Sequence, residues 1–507
     1  MTRISNHKTS IIKSKNLSYP KVPPFNPSSK FPEYRLGGKH VADDENTVYA
    51  EIRNLFRNHE LDIDNYGSSD WNPLGEFVEP GESVVIKPNW VLSYHLDNED
   101  VFSIITHPSV LRTIIDYVYI ALAGKGQIIV ADSPQWDCDW NTLMSLMELD
   151  AIKKIYKDEL QFDIEIRDLR VIALSALPYY GFAEEGSRKS LKGDPLGYSE
   201  VDLGARSMFA EIAGKDNLCG IDLKDRQETI DKHQTNRNCY DVARTFQKAD
   251  VVINVPKLKT HKKVGVTLNL KAIVGTIGNK NTLPHFRKGK PSENGDAYPE
   301  DKEPRSHFLL KVESKLKDLL LKKGNRFGEV IFKSLFQFGR YVIKPLMRPN
   351  LNRSQTLGNW YGNDTCWRMV GDINKIFYGY RGNECEYMFD KKTEKRFLSI
   401  IDGITAGEAN GPLTPTPIQV GALLFGTNPL SVDLTAIKLM GFDYNKIRLY
   451  RNIIADSEFR ALLDFDPESG IPINVNGNEC NEIPQDIVHQ MTPHDGWLGH
   501  IEAELDR

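Results

Sequence analysis

The 507-residue chain reads as an α/β protein with an open, mostly parallel or mixed, doubly wound sheet and an inserted basic helical lobe. Short β-branched runs recur along it, helical segments separate several of them, and the alternation breaks off between about residues 279 and 395. A chain of this length exceeds what one hydrophobic core usually supports, so two lobes or large insertions are expected.

The elements follow in order. Residues 1–45 are rich in Pro, Lys and Ser without apolar periodicity and are expected to form an extended arm over the surface. Residues 46–280 form the first part of the α/β core. Here Ser83-Val-Val-Ile86 is a strand buried on both faces that ends in Lys87-Pro88-Asn89-Trp90. Thr106 or His107 caps the next helix, with Pro108 in its first turn and Val110, Leu111, Ile114, Ile115, Val118 and Leu122 as its buried stripe. The strand Ile128–Ala131 follows and stops at Asp132-Ser133-Pro134, which reads as another helix start and completes a β-α-β unit. Similar runs at Phe162–Ile166, Val251–Val255, Phe397–Ile401 and Val420–Phe425 extend the sheet. Residues 281–395 read as an insertion or lid, with ten Lys/Arg against three acidic residues between His307 and Arg348; residues 396–507 complete the core and form a C-terminal tail.

The formal net charge of −5 excludes a global attraction to nucleic acid, so basic patches must be local. The N-terminal stretch has no apolar h-region, no later run is long and apolar enough to span a membrane, and a cytoplasmic location is expected. The six cysteines contain no C-x-x-C pair, which argues against an iron–sulfur cluster, a zinc knuckle or a disulfide scaffold.

In open α/β sheets ligands bind beyond the carboxyl ends of the strands, where loops and helix N-termini converge. Lys87, Asn89, His107 and Asp132 are expected at that edge. The strand near residue 251 ends in Pro-Lys-Leu-Lys-Thr-His, which places Lys257, Lys259 and His261 on one extended face. Clustered ammonium groups repel, and an anion relieves the repulsion, so these lysines, with Lys271 and with Lys280 as a further contact, are expected to hold a phosphate or polycarboxylate. Taken alone, the cluster is better explained as a solvated strand end with surface lysines; the polar ends of the later strands are what favour a site. His285 and Arg287, followed by Gly295-Asp296, read as a lid or as an ordinary surface loop. Asp132, Asp402, His107 and His261 offer oxygen and imidazole ligands for Mg²⁺, Mn²⁺ or Fe²⁺. Asp433, in the first turn of a helix beginning near Pro429, serves either the helix dipole or the site. No P-loop, strand-linked G-x-G-x-x-G, nucleophile elbow or H-E-x-x-H is present.

Val85-Ile-Lys-Pro-Asn-Trp90, Thr106-His-Pro108, Ala131-Asp-Ser-Pro134, Asp250–His261, Gly265–Lys271 and Asp402-Gly-Ile-Thr-Ala-Gly407 together resemble, in order, the family catalogued as domain of unknown function 362. The resemblance spans roughly residues 80–445. It implies a mainly prokaryotic, cytoplasmic protein with a common site around Lys87, His107, Asp132, Lys257, Lys259, His261 and Lys271. Some members carry a ferredoxin module; this chain, a long variant, lacks the cysteines for one.

Three functions are thus expected, in order of preference. The first is a metal-assisted transferase or hydrolase of an anionic metabolite, with Asp132, His107 and His261 catalytic and Lys87, Asn89, Lys257, Lys259, Lys271, His285 and Arg287 binding the anion. The second, from the family's ferredoxin associations, is an oxidoreductase or electron-transfer component. The third is a scaffold that docks through the basic lobe to a membrane face or acidic partner, and oligomerisation is compatible with each.

Overall fold

The structure, a computed structural model, describes all residues except 1–6, 176–182, 184–185, 213–214, 224, 301–311, 313–314, 322–324, 339–354, 382–385, 388–394 and 505–507. Among the described residues the central sheet has eleven strands: β1 Thr9–Lys13, β2 Ser83–Pro88, β3 Gln127–Asp132, β4 Ile164–Asp168, β5 Val251–Val255, β6 Lys257–His261, β7 Gly265–Thr267, β8 Arg396–Glu408, β9 Thr416–Gly426, β10 Ile473–Val475 and β11 Asn478–Cys480. Nine of them run in the order β11-β10-β1-β9-β8-β5-β2-β3-β4, while β6 pairs with β8 off this path and β7 pairs with β6. The run β8-β5-β2-β3-β4 is parallel throughout. Beyond it, β9 is antiparallel to β8 and β1 antiparallel to β9, so the sheet is mixed.

Alternate side chains of the parallel strands feed opposite cores, as the period of two requires. Val84, Ile86, Ile128, Val130, Val251 and Ile253 pack against the helices α1 Thr47–Asn58 and α2 Pro108–Ala121. Val85, Ile129, Ala131 and Val252 face the other layer, which includes α3 Cys366–Gly379 and α4 Pro429–Leu439. The expected doubly wound α/β architecture is therefore present.

Three expectations need correction. The N-terminal segment is not only a surface arm: Thr9–Lys13 is an interior strand paired on one side with β9 and on the other with β10, and Ile11 and Ile12 are buried. Its TSIIK run is too short for a periodicity signal among prolines and lysines, and pairing on both edges supplies what composition does not. Residues 281–395 are not one insertion, because α3 belongs to the main core through Met369, Val370, Ile373 and Ile376. The basic 307–348 segment falls largely outside the described residues, apart from stretches that include the helix Arg326–Phe338. Finally, Asp132-Ser133-Pro134 opens a loop, and the next helix begins at Trp140, where Asp139 accepts from the Thr142 amide at 2.7 Å.

Candidate anion-binding cavity

At the carboxyl edge of the parallel strands lies a cavity of about 480 Å³, within the size range of small-molecule sites. Six lysines line it: Lys87 from β2, Lys259 from β6, Lys262 and Lys263 from the turn to β7, Lys271, and Lys280. Asn89, Asp132, His261 and His285 line it too. The sequence therefore anticipated Lys87, Asn89, Asp132, Lys259, His261, Lys271 and His285, with Lys280 as a further contact. It missed Lys262 and Lys263, which lie beyond a strand end whose following turn folds back over the cavity. Tyr94, Trp136, Asp137, Thr267 and Asn359 were missed as well, since they come from loops and short elements without periodicity.

Each lysine is positioned by the backbone beneath it. Lys87 Nζ lies 3.0 Å from Asp132 Oδ1, with both side chains buried. The Trp90 and Ser133 amides donate to Asp132 at 2.8 and 2.9 Å, so this carboxylate ties β2 to β3 and is fully engaged. Lys259 donates to the carbonyls of Ile104 and Pro412 at 2.7 and 3.1 Å. Lys280 donates to those of Val274 and Ile277 at 2.7 and 2.9 Å, and Lys263 to that of Leu357. Lys271 sits on the helical turn Asn269–Ala272, which is anchored by the buried Asp433 of α4. That carboxylate accepts from the Asn269 and Leu270 amides at 2.8 and 3.0 Å and from Tyr450 Oη at 2.9 Å. Asp433 thus orients a lysine-bearing turn, a role beyond the helix dipole.

The electrostatics follow from this crowding. Burial, reinforced by neighbouring lysines, lowers the pKa values of Lys259 and Lys271, and burial alone lowers that of Lys262. Burial first and nearby cations second push Lys263 and Lys280 down to about 7. The same causes lower His261 well below the usual imidazole range and take His285 to about 3, so both rings are neutral. His261 Nδ1 accepts from the Lys263 amide at 3.0 Å, which assigns its proton to Nε2. His285 is the reverse: its Nδ1 lies 2.8 Å from the Leu283 carbonyl and must donate, which leaves Nε2 as an acceptor.

The remaining expected site residues lie elsewhere. Lys257 shares a parity with Lys259, but the pairing of β6 with β8 slips between them, and Lys257 does not line the cavity. Instead its Nζ lies 3.0 Å from Asp402 Oδ2 in a fully buried pair and donates to Tyr19 Oη at 2.6 Å. Tyr19 in turn donates to Asp402 Oδ1 at 2.5 Å and stacks on His107 at 3.9 Å between ring centroids. His107 is the N-cap of α2: its Nδ1 accepts from the Ser109 amide at 3.1 Å, and its own amide donates to Asp402 at 3.0 Å. This assembly joins the N-terminal segment to the sheet and does not open to the cavity. Arg287 is buried beside Asp364, at 3.3 Å, and is likewise absent from the cavity lining. The four expected metal ligands are thereby split, with Asp132 and His261 at the cavity and His107 and Asp402 in the tyrosine cluster. Among the described residues no three His, Cys, Asp or Glu side chains are grouped around a common point, so the four expected ligands do not form one site.

Fold and site together define an α/β protein with a lysine-lined cavity at the carboxyl edge of a parallel sheet. Residues 194–438 match the model of the family described as Domain of unknown function (DUF362), which supports the assignment to this family through that region. No curated protein matches the chain. Among solved structures, a crystal structure of a protein from Thermotoga maritima aligns at 8% identity with a TM-score of 0.30, over 79% of this chain and 60% of that one. The chain thus spans less than two thirds of that protein's length, and at this score the likeness carries no argument.

Proposed function

We propose that the cavity binds a small polyanion, a phosphorylated or carboxylated metabolite, and that the chain is an enzyme, a transferase or hydrolase, acting on it. The observation that carries this reading is that, among the described residues, six lysines line one cavity whose only lining carboxylates are Asp132, already paired with Lys87, and Asp137. Such a set is strained by its own charge, and a bound polyanion offsets both the repulsion and the desolvation. The neutral histidines supply a donor, His261 Nε2–H, and an acceptor, His285 Nε2. Neutralising the lysines raises the pKa of His285, so ligand binding itself prepares that ring for proton transfer.

Calorimetric titration with pyrophosphate tests the reading. Wild type is expected to bind it, and Lys271→Ala to bind it at least about tenfold more weakly, since a lost charge-assisted contact costs about 1.5–3 kcal/mol. Absence of binding by wild type, or unchanged affinity in the variant, would overturn it.

A second reading, a membrane-docking role, is favoured by the helix Arg326–Phe338. Phe327 and Val330 are 76% and 61% exposed, and Leu335 and Phe338 are exposed on the same face, next to a strongly basic stretch of sequence. An exposed apolar stripe with basic flanks suits an anionic lipid surface. No helix among the described residues is long and apolar enough to cross a membrane. Co-sedimentation with phosphatidylserine vesicles that is reduced in a Phe327→Ser/Phe338→Ser variant supports this docking, and equal co-sedimentation of the two proteins removes it.

A further inference from the structure

Resting on the anion-cavity reading, we infer that the ligand is a phosphorylated sugar or polyol, with its phosphate at the lysines and its hydroxyl groups at the wall formed by Asp137, Ser133, Tyr94, Thr267 and Asn359. In each of these five cavity-lining residues a buried side-chain oxygen has no hydrogen-bond partner: Asp137 Oδ1, Ser133 Oγ, Tyr94 Oη, Thr267 Oγ1 and Asn359 Oδ1. Buried polar atoms are nearly always satisfied, and five orphans around one cavity mark groups that a ligand completes.

Their chemistry narrows that ligand. The Asp137 and Asn359 oxygens only accept, so they call for donors; the three hydroxyls both donate and accept. A fully ionised inorganic anion has no donor for Asp137 and is repelled by it, and a protonated phosphate has too few hydroxyl groups to reach all five oxygens while its charge stays with the lysines. The ligand must therefore be bifunctional, anionic at one end and rich in hydroxyl groups at the other. Asp137 and Ser133 stand on the loop that leaves β3 directly after Asp132, so the carboxylate that fixes Lys87 also fixes the start of the hydroxyl-binding wall. Trp136, buried between them in sequence and lining the same space, gives an apolar surface suited to the C–H face of a sugar. Burial holds the pKa of Asp137 above the ordinary carboxylate value, as expected of an acceptor whose partner is still to arrive.

Titration of the full chain with inorganic phosphate and with ribose 5-phosphate tests the inference. Wild type is expected to bind ribose 5-phosphate at least about tenfold more tightly than phosphate, the gain given by one or more hydrogen bonds to a buried charged acceptor. Asp137→Asn is expected to remove most of that gain without weakening the binding of inorganic phosphate, because the lost charge repels the anion. Equal affinity of wild type for the two probes overturns the sugar-phosphate assignment without any variant, and so does a gain that survives Asp137→Asn. Failure of both probes to bind wild type overturns the anion-cavity reading itself, and this inference with it.

Discussion

At the scale of single residues, Gly275 shows how tightly the cavity wall is built. A Cβ placed there would lie 2.0 Å from Asp132 Oδ1 and 2.5 Å from Lys87 Nζ. Neither atom can retreat cheaply, because two amides hold Asp132 and the pair is buried. Gly275→Ala is therefore expected to destabilise the protein by about 3 kcal/mol, through overpacking and a broken buried ion pair. Chemical denaturation measures this, and a change under about 0.5 kcal/mol would show that the wall yields. Residue type and strand parity made Lys87, Lys259 and His261 legible in the sequence. Lys257 shows the limit of that reasoning: parity holds only while the ladder is regular, and the slip against β8 gives this lysine to Asp402 instead. His107 shows another limit, since a histidine before Ser/Pro-rich helix starts serves as readily as a cap as it does as an acid or base.

At the scale of elements, the parallel strands were the easiest to read. Val251–Val255 is found where the sequence places it, and α2 starts at Pro108 with His107, one of the two caps the sequence offers, before it. Fully buried strands announce themselves by unbroken β-branched runs. What stayed hidden depends on distant partners. The strand Thr9–Lys13 exists because β9 and β10 offer edges on both sides, and nothing local in TSIIK reveals them. The loop after Asp132 has the residues of a helix start, yet Asp132 spends both oxygens on Lys87 and on the Trp90 and Ser133 amides, and Asp139 takes over as the cap. That exchange leaves the intervening loop free to line the cavity, which is why Trp136 and Asp137 stand on its wall where helix was expected. Asp433 belongs to this scale too: its worth lies in joining α4 to the turn that presents Lys271, a tertiary link that no spacing within one segment encodes.

At the scale of the whole molecule, the sheet gathers cationic groups from segments almost two hundred residues apart, Lys87 to Lys280, around one cavity. The cost of that arrangement depends on pH. Lys263 and Lys280 have folded pKa values of about 7 against an ordinary 10.5, so above pH 7 the unfolded chain binds more protons than the folded one. Stability from these groups therefore rises as pH increases from 7 and is lowest below it. Lys395, outside the cavity and also near 7, adds to the rise with the same sign. An anion in the cavity favours the protonated lysines, so it binds most tightly at or below pH 7 and more weakly as pH climbs.

The most direct measurement is the thermal midpoint with and without sulfate, whose charge is constant over this range, at matched ionic strength and at pH 7 and about 9. The expected result is a midpoint that rises with pH in chloride alone, together with a sulfate-induced increase that is large at pH 7 and small at pH 9. A sulfate effect that is absent at pH 7, or that grows with pH, would contradict the account of the cavity as an anion site held in waiting by its own lysines.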